Sequence, residues 1–182
     1  MTRAARWWSA CLLAALFAGC NPQAPRSAPT PSATPVRAAA PLPLHITGHG
    51  TPTRPVRETL QINNRIEYEL ESKSFESNGA QGKARAVFRD ARVTFYDPKG
   101  TKLTATAPQA IVDEGTNSVT MIGGVRAKTN TGMTLSCAQL IYDHAAGTLR
   151  GSGNVSIAEP NGFRGTGSSF DSDISLSHMR MQ

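Results

Sequence analysis

Cysteine is scarce in this chain of 182 residues: three occur, and no two are placed to pair. Cys11 lies in an apolar leader, Cys20 at its end and Cys137 in a strand-like segment, so a disulfide framework is excluded and the fold must rest on its core. Histidine is nearly as sparse. His45 and His49 in "HITGHG" have no Cys or carboxylate beside them, which argues against a metal site, while His144 in "YDHAAG" and His178 near the terminus read as solvated surface residues. No nucleophile, base and orienting group gather anywhere in the sequence, so a non-enzyme without cofactor or metal is expected. "GFRGTG" is not a phosphate loop, because no helical period follows it to present backbone amides. The formal charge of +6 invites a nucleic-acid reading. Between Val56 and Gln182, however, fourteen lysines and arginines stand against thirteen carboxylates, so the basic surplus sits in the leader and tail and nucleic acid is not an expected partner.

What is present begins with a secretion signal. "MTRAARWW" is a cationic start, "SACLLAALFAG" an apolar stretch too short to span a bilayer, and Ala18 and Gly19 are small residues before Cys20. "LFAGC" resembles a bacterial lipobox, so residues 1–19 are read as a lipoprotein signal peptide and Cys20 as the acylated first residue of the mature protein. A diacylglyceryl group has chains enough for stable anchoring, at about 0.8 kcal/mol per buried methylene. Residues 20–55 are rich in Pro, Ala, Ser and Thr without an apolar period, and read as an extended, disordered tether. A periplasmic, membrane-anchored lipoprotein follows.

Residues 56–182 change to period two. "RIEYELES" places Ile66, Tyr68 and Leu70 on one face and Glu67, Glu69 and Glu71 on the other; "ARVTFYDPKG" alternates Val93 and Phe95 before a turn composition. The stretch from Val119 to Asp143 repeats, without a gap, from Leu149 to Asp173 at an offset of 30 residues, and a weaker copy begins near Leu103. Such repetition implies units that need their neighbours to bury an apolar face. The repeat places Asp113, Asp143 and Asp173 at equivalent turn positions, where Asp caps the backbone. Glycines inside strands, among them Gly123, Gly124 and Gly153, imply sharp curvature. An all-β, antiparallel, meandering domain is expected, with Cys137 a small buried hydrophobe.

These motifs resemble the LptC-type periplasmic proteins of lipopolysaccharide export, relatives of the wider LptA/OstA-like family. The likeness rests on "YELES", "FRDARVTFYDPKG" and the pairing of "VTMIGGV…TGMTLSCAQLIYD" with "LRGSGNV…NGFRGTG". It implies a V-shaped β-jelly roll, a "taco", with an apolar groove for lipopolysaccharide acyl chains, joined edge to edge into a bridge from an inner-membrane ABC transporter to an LptA-like protein. The inward positions Val93, Phe95, Leu103, Val119, Met121, Val125, Leu135, Cys137, Leu140, Tyr142, Val155, Ile157 and Phe163 would line that groove. Ile174 and Leu176 would form a C-terminal edge strand for the partner, while the strand at Ile66 to Leu70 would face the transporter. The resemblance places the anchor in the inner membrane; the sequence leaves the outer membrane open. LptC proteins carry a transmembrane helix where this chain has a leader and tether. The alternative function is an adaptor lipoprotein that binds periplasmic proteins through its sheet edges without carrying lipid.

Overall fold

A computed structural model describes residues 44–80 and 82–182. Residues 1–43, with Cys11, Cys20 and the signal reading, lie outside the described residues. Among the described residues eleven strands form one antiparallel sheet: β1 (Leu44–His49), β2 (Val56–Ile62), β3 (Arg65–Ser72), β4 (Ser74–Gly79), β5 (Arg85–Tyr96), β6 (Lys102–Asp113), β7 (Ser118–Thr129), β8 (Thr134–Asp143), β9 (Thr148–Ala158), β10 (Arg164–Asp173) and β11 (Arg180–Met181). The order is β1-β4-β5-β6-β7-β8-β9-β10-β11, and β3 pairs β5 and β2.

One line of irregularity crosses every long strand and folds the sheet on itself. Arg85–Arg89 of β5 pairs with β4, and Arg92–Phe95 pairs with β3. Between them Asp90 has a positive φ of 50° and its carboxylate meets Lys73 Nζ at 3.0 Å, where β3 passes into β4. The line continues through Pro108 of β6, where a missing N–H costs no ladder bond, and through Gly123–Gly124 of β7. It then crosses Ala138 of β8, Gly153–Asn154 of β9 and Ser168 of β10. The strands β7 and β9 each carry the surplus residue of a bulge, which bends a strand sharply. Gly123, Gly124 and Gly153 have φ of 96°, 94° and 77°, a region that favours glycine.

The bend divides the sheet into two arms. The first holds β2, β3 and the halves of β5–β10 that include Val93, Leu103, Val125, Leu135, Ile157 and Arg164. The second holds β1, β4, β11 and the halves that include Phe88, Val112, Met121, Leu140, Leu149 and Phe170. Inward residues of both arms make one apolar core, with Leu70, Val93, Phe95, Leu103, Met121, Leu140 and Leu149 fully buried.

Four local expectations are corrected. The tether read as far as residue 55 already forms strand at Leu44–His49, because β4 offers it a pairing edge. Ile66 to Leu70 is no edge, since β3 is paired on both sides. A bulge opposite Leu60 and Gln61 turns Glu67 inward to 6% exposure, where Arg65 donates to its Oε1 from Nε and Nη2. Finally, Ile174 and Leu176 do not form the terminal strand. They lie in the turn after β10, buried to 5% and 3%, with Leu176 at a φ of 59°. The strand that closes this side is Arg180–Met181.

The turns that end the repeats share one device. Asp113 Oδ1 accepts the Thr116 amide, Asp143 Oδ1 the Ala146 amide and Asp173 Oδ1 the Ser177 amide. Desolvation pushes the Asp173 carboxyl up. The hydroxyls of Ser175 and Ser177, the His178 ring and the Ser177 amide outweigh it and hold that group below the ordinary carboxylate range.

Candidate functional site: the interior and its mouth

Alternation along the strands sends every second side chain between the arms. Val93, Phe95, Leu103, Val125, Leu135, Cys137, Val155 and Ile157 enter from the first arm, and Val119, Met121, Leu140 and Tyr142 from the second; none exceeds 5% exposure. The arms touch. Phe95 of the first and Tyr142 of the second have ring centroids 4.7 Å apart at 51°, and Tyr68 lies 6.4 Å from Phe95. The interior is therefore packed with its own side chains, as an apolar groove would be with its walls together.

Phe163 stands apart from this set. It sits in the turn between β9 and β10 and is 57% exposed. Met133, its counterpart one repeat earlier, packs against the core; Phe163 belongs to the last full repeat and has no following hairpin to cover it.

Burial explains the proton affinities inside. Desolvation raises the Cys137 thiol to about 11, which leaves it an unreactive thiol. It raises Tyr142 to about 12, with Glu67 adding to the effect. His144 is not a solvated surface residue: its side chain is 19% exposed, and Nδ1 is buried without a hydrogen-bond partner, 4.0 Å from Glu67 Oε2. Among the described residues no cluster of His, Cys, Asp and Glu could hold a metal.

Sequence reasoning missed the opening of the interior. Between β2 on the first arm and β1, β4 and β5 on the second lies a cleft of about 280 Å³, walled by Ile46, Val56, Phe75, Ala86, Phe88 and Val112. Phe75 and Phe88 stack there at 5.8 Å and 19°. Ile46 is 45% exposed. Glu58 lines the cleft beside them, and its Oε1 accepts a 2.9 Å hydrogen bond from Tyr68 Oη. Burial raises the Glu58 carboxyl above its ordinary range, the Tyr68 bond opposes that, and Glu114 across the cleft adds to it. The alternation of Phe75 with Ser74 and Glu76, and of Ala86 with Arg85, could have signalled these inward positions, but not that two arms part there.

A single antiparallel sheet, bent across all its strands around one apolar interior, is a jelly-roll module of the folded or taco kind. The chain belongs to the LptC-related family of lipopolysaccharide assembly, whose profile matches residues 54–181. No curated protein matches it in sequence. Family membership assigns the domain a general role in lipopolysaccharide transport in the periplasm.

Proposed function

We propose that the domain takes lipopolysaccharide acyl chains between its arms and passes them along a bridge from an inner-membrane ABC transporter to an LptA-like partner. The observation that carries this reading is the continuity of the apolar cleft at Ile46, Val56, Phe75 and Phe88 with an interior made of aliphatic and aromatic side chains. Acyl chains would enter at the cleft, part the arms and replace the contact between Phe95 and Tyr142. Each methylene transferred from water contributes about 0.8 kcal/mol, so several suffice to offset the separated side chains. Serial sites of similar affinity keep such binding reversible.

The outgoing partner would add a strand to β10. The strand β11 pairs only with Phe170 and Asp171, which leaves the first-arm half of β10, Arg164–Gly167, without a second neighbour among the described strands.

A photocrosslinking amino acid at Met121 or Val155 is expected to capture lipopolysaccharide in cells. The same group at Thr120 or Ser156, the residues adjacent to each along its strand and turned outward, is expected to capture none. Equal capture from both faces, or none from either, removes the interior from consideration.

The proposal includes anchoring by acylation of Cys20, supported by "LFAGC" after a basic and apolar leader. Cys20→Ala is expected to abolish lipid labelling and release the protein from the membrane fraction. Persistent labelling of that variant would discard the anchor.

A further inference from the structure

The solvent-facing sides of the two arms differ in charge. On the second arm Arg85, Arg89 and Arg150 are accompanied by Asp113, Asp143, Asp171 and Asp173. On the first arm, from β5 to β10, the strands carry Arg92, Lys102, Arg126, Lys128 and Arg164 and no carboxylate. All five are exposed, and none forms a salt bridge among the described residues.

Register brings them together. Arg92 pairs with Thr106 and Thr106 with Arg126; Thr104 pairs with Lys128; Lys102 pairs with Tyr96 and lies 5.2 Å from its ring centroid. Arg92 and Arg126 are thus two strands apart, roughly 10 Å at ordinary strand spacing. Arg92, Lys102, Arg126 and Lys128, with Thr104, Thr106 and Asn130, wall one shallow depression of about 480 Å³. The nearest carboxylates in register are Glu71, directly across from Arg92, and Glu69, across from Thr94, both on β3 and both engaged elsewhere. Tyr96 Oη donates to Glu69 at 2.5 Å, and Arg57 meets Glu71 at 2.9 Å.

We propose that this face docks on the phosphate groups of an anionic phospholipid surface. Unpaired cations spread across several strands, with threonine hydroxyls between them, complement a plane of phosphates that accepts hydrogen bonds. The breadth of the patch fits an extended surface, since its cations reach from β5 to Arg164 on the last long strand. Each cation near an anionic bilayer strengthens binding about fivefold, and salt weakens the attraction because exposed charges are screened over about 10 Å at 0.1 M. The docking site lies on the outside of the first arm, so it is independent of lipid held between the arms.

The test is vesicle co-sedimentation of the full chain carrying Cys20→Ala, so that no acyl anchor contributes to any sample, comparing Arg92→Gln/Arg126→Gln/Lys128→Gln with Lys83→Gln/Arg85→Gln/Arg89→Gln. The second variant removes the same charge from the second arm and its adjoining turn, and all six positions are exposed. With vesicles of phosphatidylcholine and phosphatidylglycerol, the first variant is expected to bind about a hundredfold more weakly than the parent, and the second nearly as the parent does. Both should keep the parental circular dichroism and the crosslink from Met121. Equal losses from the two variants, no loss from the first, or the same loss on pure phosphatidylcholine would overturn the proposal. Inorganic phosphate that competes more strongly than chloride at equal ionic strength would reassign the depression to a soluble anion and overturn it too. Should the first variant release lipopolysaccharide while holding its affinity for phosphatidylglycerol vesicles, the phospholipid assignment also fails.

Discussion

Valine in place of Gly153 is expected to lower the stability of the domain by about 3–5 kcal/mol, read as a shift of the urea midpoint at unchanged slope. Two costs combine. A Cβ at Gly153 would lie 2.7 Å from Cβ of Ala138, closer than any ordinary contact, so β9 or the neighbouring β8 must move. The φ of 77° is besides a conformation that L residues resist by about 1–2 kcal/mol, and a β-branched side chain resists it more. Gly124→Ala separates the two terms. Gly124 has a φ of 94°, but nothing lies within 4 Å of its Cβ position, so only the backbone cost of about 1–2 kcal/mol should appear. If Gly153→Val melts with the parent, the bulge line does not set the bend.

The second large effect is expected at Phe95. It is fully buried between Tyr68 and Tyr142, so Phe95→Ala should cost about 3–5 kcal/mol, the usual range for deleting a core phenyl ring. Phe163→Ala, at a ring 57% exposed, should stay within about 0.5 kcal/mol of the parent. Chemical denaturation of the two variants beside the parent distinguishes them. Equal effects would mean that Phe95 does not join the arms.

The inward side chains were legible because strand period and burial coincide along β6 to β9. Val119, Met121, Val155 and Ile157 keep one alternation through β7 and β9, while in β8 the buried phase slips at Ala138, between Leu135 and Leu140. Alternation assigns a face, however, and cannot say that the face closes on itself. That follows from the bulges, of which sequence offered the glycines but not Pro108, Ala138 and Ser168 opposite them. At the ends the period misled. Ile174 and Leu176 are spaced like a strand, yet the 30-residue repeat sets them against His144 and Ala146, which are turn residues. The repeat was the better guide there, because the carboxylate of Asp173 ties down the turn as those of Asp113 and Asp143 do. His144 and Glu67 escaped notice because a bulge in β3, invisible in composition, turned the carboxylate inward.

The line of bulges has a mechanical meaning. Both hydrogen-bonded ladders run within an arm, and the strands cross from one arm to the other as covalent backbone. Swinging the arms apart about that line would leave the ladder bonds intact and is opposed by the packed core, including Phe95 against Tyr142. Sliding one strand past the next breaks those bonds and is stiff. Side-chain packing alone holds the direction that widens the interior, whereas hydrogen-bonded ladders hold the length, as in a book whose pages are bound at the spine and merely pressed together at their faces. A load drawn along the strands would meet hydrogen bonds, and an apolar wedge pressed between the arms would meet apolar packing.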